Sequence, residues 1–193
     1  MKTGLAPGFL IASPALPDPN FARSVVLMCI HNSESALGLI VNRPAGLSVR
    51  RVFEDLELGG TPDMDSRDVL IGGPVQPHQG WVLYAGDGPA GPEEIEISRG
   101  LRLSASRAIL ERIASSNGPS RYLLLFGYAG WGPLQLESEI GEGSWLPAEL
   151  DEELIFAAPL EQRWELALAS LGINPAFVHL GAFGPGFSGS GEA

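Results

Sequence analysis

Ser24-Val25-Val26-Leu27-Met28-Cys29-Ile30-His31 alternates apolar residues on both of its faces, with Val25, Leu27 and Cys29 on one and Val26, Met28 and Ile30 on the other. Successive side chains of a strand point to opposite faces, so this pattern predicts a central strand covered on both sides. The polar link His31-Asn32-Ser33-Glu34-Ser35 and the apolar run Leu37 to Val41 come next. Two such runs joined by so short a link predict an antiparallel hairpin.

Working outward, Phe9 to Ala12 is a short apolar run stopped by prolines 14, 17 and 19. Ser48 has the chemistry of a helix cap, followed by Val49, Val52, Phe53 and Leu56 at helical spacing up to Gly59-Gly60. Val69 to Ile71, Trp81 to Tyr84, Ile95 to Ile97, Leu101 to Leu103, Tyr122 to Phe126 and Leu154 to Phe156 read as further strands. Ser104 is expected to cap a helix carrying Ile109, Leu110 and Ile113, with a second helix from Pro133 through Ile140. Leu160, Trp164, Leu168 and Leu171 form the clearest helical stripe, stopped by Gly172. Phe177 to Leu180 reads as a last strand.

Strands in hairpin-like runs with single helices inserted predict an α+β fold, with a curved and largely antiparallel sheet, rather than a doubly wound parallel one. A single compact domain over residues 1–180 is expected, followed by a flexible glycine- and serine-rich tail, 181–193.

The charge balance excludes function classes. Twelve basic against 23 acidic residues give a net charge of −11, and Lys2 is the only lysine. A protein that grips DNA electrostatically clusters lysine and arginine against phosphates. The nearest approach to a cluster, Arg43, Arg50 and Arg51, is followed at once by Glu54, Asp55 and Glu57. Direct nucleic-acid binding and anionic membrane surfaces are disfavoured. A single cysteine, Cys29, allows no intramolecular disulfide. No run approaches the length of a membrane span, and the first residues lack the apolar stretch of a signal peptide, so the expected location is cytoplasmic.

Chemical motifs are few. Gly86-Asp87-Gly88-Pro89-Ala90-Gly91 and Gly184 to Gly189 match a dinucleotide-binding pattern as text, but no helix N-terminus follows either. His31, His78 and His179 lie far apart, so no metal and no cofactor is expected. Glu137 and Glu139 would point about 200° apart on a helix, a poor acid/base pair. Cys29-x-His31 has chemical content, because on one strand both side chains face the same way and an imidazolium would favour the thiolate. Burial acts in the opposite sense, and with no orienting third residue identifiable the structural reading of Cys29 is favoured over a reactive thiol.

Several of these segments also carry a resemblance. Gly8 to Pro14, Asp18 to Val26, Gly38 to Pro44, Gly72 to Val75, Gly127 to Trp131 with Gln135-Leu136-Glu137 and Glu139-Ile140, and Arg163-Trp164 resemble the YqgE/AlgH family, in order, over about Gly4 to Ile173. The resemblance implies a compact bacterial domain with a bifurcated, partly barrel-like sheet surrounded by helices. It implies no accepted catalytic residues, and the AlgH name carries a proposed role in transcriptional regulation. Cys29 and His31 fall where the family often places cysteine and histidine. Leu134 departs from it, standing where members usually have glycine before Gln-Leu-Glu, a change expected to narrow close backbone approach there.

The resulting expectation is a non-enzymatic binding or regulatory module for a protein or small-molecule ligand. The alternative is a thiol-dependent enzyme or redox sensor using Cys29 with His31. Asn42-Arg43-Pro44, Gly72-Gly73-Pro74 and the loop Tyr128 to Trp131, with Glu137 beyond it, are expected to form a shared recognition surface.

Overall fold

The structure is a computed structural model and describes residues 4–87 and 90–174. The decisive stretch is strand β2 (Val25–His31), flanked by β1 (Gly8–Ala12) and β3 (Ala36–Ile40), both antiparallel to it. The predicted hairpin and the two covered faces are both present. Leu27 and Cys29 pack in one core with Leu39, Leu125 and Trp164, while Val26 and Met28 pack in a second with Trp131, Leu136 and Trp145.

Beyond β1 lies β10 (Trp145–Ala148), and beyond β3 lies β9 (Tyr122–Trp131). β9 passes the sheet to β6 (Val75–Ala85), then β8 (Leu101–Ser104) and β7 (Glu94–Ser98). Two more strands, β4 (Pro44–Ser48) and β5 (Asp68–Ile71), form a branch that joins β9 in parallel at Leu70↔Leu125 and Ile71↔Phe126. One edge of β9 therefore serves β5 along its first half and β3 along its last residues, and the sheet forks there. The result is a curled, largely antiparallel half-barrel with five α-helices around it, an α+β domain.

The fork depends on three glycines. Gly72 N–H donates to Phe126 O at 2.7 Å, and Gly72 O accepts from Ile40 N–H at 2.8 Å, so one residue is shared between both branches. A Cβ on Gly72 would lie 2.4 Å from Gly127 O, and one on Gly73 only 2.1 Å from the Tyr128 carbonyl carbon. Gly127 itself has φ +72°, in the left-handed region.

The helices cover the faces. α1 (Val49–Asp55) is capped by Ser48, whose Oγ accepts from Arg51 N–H, and buries Val49 and Phe53. With α2 (Arg107–Ala114) it closes a third core around Val82, Tyr84 and Leu124. α3 (Gln135–Gly141) leans on β9 and β10, while α4 (Glu152–Phe156) and α5 (Arg163–Ser170) cover the β1–β2 side.

Several expectations are corrected. Leu154 to Phe156 is helical, because Asp151 accepts from Glu153 N–H as a cap and two acidic residues fill the first turn. The cap of α2 is Ser106; Ser104 ends β8, and its Oγ accepts from Ser106 N–H. The predicted loop Tyr128 to Trp131 is the second half of β9, and β6 begins at Val75, ahead of the predicted strand Trp81 to Tyr84. β4 and β10 had no apolar alternation to betray them, and each carries a proline where an edge strand tolerates one. The predicted strand Phe177–Leu180 and the tail from 181 lie outside the described residues.

Leu134 sits before α3 with φ +59°, so the glycine usual at that position answers to conformation rather than to close approach. A left-handed residue other than glycine costs about 1–2 kcal/mol, and glycine's greater unfolded-state freedom offsets about 0.5–1 of it. Leu134 is 71% exposed and gives up little packing. Leu134→Gly should therefore stabilise the fold by about 0.5–1 kcal/mol in urea titration. Gly73→Ala, which must displace β9 backbone, should cost at least about 4 kcal/mol or prevent folding.

Candidate functional site

Cys29 and His31 do not share a face. Met28 pairs with Gly38 and Ile30 with Leu37, so Cys29 is an extra residue, a β-bulge in β2. A bulge reverses the alternation beyond it. Cys29 stays in the core with Leu27, Ile30 packs against that same core, and His31 turns to the opposite side. The thiol is buried, with Leu27 O as its contact at 3.6 Å, and burial pushes its pKa up to about 12. The predicted tuning of the thiol by His31 is absent because the bulge separates them.

His31 is held at both ring nitrogens. Leu5 N–H donates to Nδ1 at 2.9 Å, which leaves the proton of the neutral ring on Nε2, facing Glu137 Oε1 at 3.1 Å. The imidazole thus ties the entering chain to β2 and α3. Glu139 anchors the same helix: its Oε2 accepts from the indole N–H of Trp131 at 2.9 Å and of Trp145 at 2.8 Å, and its Oε1 from Gln135 at 2.8 Å. Phe21 packs on both indoles, with ring centroids 6.3 and 5.4 Å away. Glu137 and Glu139 diverge as the helical angle predicts, each to a different partner.

The three segments expected to cluster do meet, through backbone. Ile71 N–H donates to Arg43 O, Pro44 pairs with Leu70, and Gly73 lies against Tyr128. The side chains of Asn42 and Arg43 turn inward to the fold. Asn42 accepts from Val25 N–H and donates to Arg23 O, and the Arg43 guanidinium reaches the carbonyls of Pro19, Asn20 and Ala22. Gly72, Gly73 and Trp131 are buried, Tyr128 is half-buried and Pro74 is exposed.

The arrangement with capacity left lies elsewhere, at the start of α5. A cavity of about 440 Å³ opens between that helix, β5 and the start of β9. Arg163 lines it, only 4% exposed, with Nε donating to Ala158 O at 3.0 Å and Nη1 to Val41 O. Among the described residues no carboxylate pairs with this guanidinium, and burial lowers its pKa to about 10. Tyr122 lines the same cavity, its buried hydroxyl without a hydrogen-bond partner among the described residues. Sequence reasoning passed over Arg163, although a signal existed: positions 160, 163, 164, 167 and 168 are the inward positions of one helical face, and a charge sits on one of them. Across α5, an apolar groove of about 770 Å³ runs between β1, α4 and α5, lined by Leu154, Leu166 and Leu171. No group of three or more potential metal ligands occurs among the described residues, and no helix there is long and apolar enough to cross a membrane.

Glu139→Gln tests the anchoring of α3. A glutamine has one acceptor oxygen, so either both indoles or Gln135 lose theirs, a loss of about 1–3 kcal/mol. Denaturant unfolding should show that loss, with displaced indole N–H resonances of Trp131 and Trp145 in NMR spectra.

The whole domain has relatives. A family model described as AlgH-like matches residues 9–176. A UPF0301 protein of Anaeromyxobacter dehalogenans is 48% identical over 189 residues, covering 94% of this chain and 95% of its own length. One of Ruegeria pomeroyi is 42% identical over 174 residues, covering 90% and 95%. The solution structure of the AlgH protein from Pseudomonas aeruginosa superposes with a TM-score of 0.77 at 35% identity, covering 100% of this chain and 98% of that one. A crystal structure of a Corynebacterium diphtheriae protein shares the fold, with a TM-score of 0.69 at 21% identity over 88% of each chain. Family model, identity and fold agree over most of the chain: it belongs to the AlgH-like family.

Proposed function

We propose that the chain is a non-enzymatic cytoplasmic module that binds a small molecule and acts in a regulatory circuit through that ligand or a protein partner. The observation that carries this reading is the cavity at the start of α5, within the size range of small-molecule sites and walled by segments far apart in sequence. The competing thiol chemistry lacks support in the geometry. A nucleophilic cysteine needs access and a base, whereas Cys29 is buried and His31 is engaged on the other face. Regulation by direct DNA contact is likewise disfavoured by a net charge of −11.

The reactivity of Cys29 separates the two readings. In the folded protein the thiol should resist a neutral disulfide reagent from about pH 6 to 9 and react only after denaturation. Fast reaction in the folded state, with a measured activity lost in a normally folded Cys29→Ser protein, would overturn the binding-module reading.

Linkage supplies a further check. A thiol raised to about 12 when folded, against an ordinary value of 9.0, keeps its proton where the unfolded chain loses it. Stability from this group is therefore complete below pH 9.0 and falls as pH rises towards about 12. The slope reaches at most about 1.4 kcal/mol per pH unit. Cys29→Ala should flatten that alkaline slope in urea titrations.

A further inference from the structure

We infer that the cavity at the start of α5 is an anion site, taking a small organic anion whose carboxylate or phosphate group pairs with the guanidinium of Arg163. This rests on the binding-module reading and names the ligand class for it.

Removing a cation from water costs several kcal/mol, offset only by good hydrogen bonds and a counter-charge. Arg163 has the hydrogen bonds, to Ala158 O and Val41 O, but among the described residues no ion pair. Nη2 has no acceptor among the described residues, and Arg163 lines a cavity rather than closed core. A guanidinium presents a planar fork that matches carboxylate and phosphate alike.

The rest of the lining narrows the ligand. Arg67 and Arg121 stand on the same cavity, each held over an aromatic ring, Tyr122 at 4.5 Å and Phe156 at 5.0 Å. Both already pair with a carboxylate, Arg67 with Asp63 and Arg121 with Glu153, so they position positive potential more than they supply free charge. The exposed carboxylates Asp68 and Glu161 also line the cavity and disfavour a highly charged guest. Leu70, Leu123 and Phe156 offer an apolar wall. The combination suits a compact organic body bearing one anionic group better than a bare or multiply charged ion.

The test is an NMR titration of the full chain, with backbone amides observed at constant ionic strength. The probes are sodium benzoate, phenyl phosphate, inorganic phosphate and, as a neutral control, benzyl alcohol. Saturable shifts at amides around residues 67–70 and 156–163 are expected with benzoate or phenyl phosphate, and much weaker ones with inorganic phosphate and benzyl alcohol. Benzoate alone would assign the carboxylate class, phenyl phosphate alone the phosphate class. Arg163→Met risks the fold by orphaning two carbonyls, so the deciding variant is Arg163→Lys. It keeps the charge but loses the fork and should weaken binding roughly tenfold or more. If benzyl alcohol binds as well as the anions, or Arg163→Lys binds them unchanged, the anion site is wrong while the binding-module reading stands. No saturable shift with any probe overturns the anion site, and a reactive folded-state Cys29 would then remove the broader reading as well.

Discussion

The close backbone crossing at Gly72, Gly73 and Gly127 is the constraint on which the rest of the molecule depends. Backbones can approach this tightly only where no Cβ intervenes, and here Cβ atoms would lie within 2.4 Å of the opposing backbone. The crossing lets Gly72 hydrogen-bond to both Phe126 and Ile40, joining the β4–β5 branch to the main sheet without an unsatisfied peptide. Because β5 occupies one half of the β9 edge and β3 the other, the sheet curls instead of continuing flat. That curl forms the separate cores and leaves the start of α5 facing a concave wall.

The polar side chains near the fork maintain this geometry. Asn42 and Arg43 fasten the segment 18–25 to the strand ends, His31 fastens the entering chain to α3, and Glu139 fastens α3 to β9 and β10 through two indoles. A carboxylate accepting three hydrogen bonds is a strong local tie, since charge-assisted bonds exceed neutral ones. Asn42, Arg43, His31, Glu137 and Glu139, which look in sequence like parts of a recognition surface or an acid/base set, each hold one of these ties. Chemistry-bearing residue types at suggestive spacing do not by themselves mark a site, because their partners come from distant segments.

Much of the fold was legible in the sequence, and the failures have physical causes. The two apolar faces of Val25 to Ile30 specified a central strand, and Ser48 and Gly172 marked helix ends where the structure has them. Three consecutive apolar residues, Leu154 to Phe156, carry no period, and only the cap before them tells helix from strand. The glycines of 127–132 read as a loop because glycine usually breaks strands; at the fork it is what allows the strand to pass. The bulge at Cys29 left no compositional trace, yet it separates Cys29 from His31 and so removes the constellation that spacing alone had suggested.

Two buried ionisable groups, Cys29 and Arg163, show how burial is resolved differently according to chemistry. A thiol shielded from water keeps its proton and becomes a small apolar side chain, which is why Cys29 sits quietly among Leu27, Leu39 and Leu125. An arginine has no such escape: even lowered to about 10 it remains charged at neutral pH. Its charge must then be compensated by something, and carbonyl dipoles from Ala158 and Val41 compensate only part. An apolar residue of similar volume would remove the desolvation cost but orphan the carbonyls of Ala158 and Val41. The charge stands at the wall of an open cavity that Tyr122 also lines. Of these two buried groups, the guanidinium at the cavity wall, and not the thiol, is the one on which the proposed anion site rests.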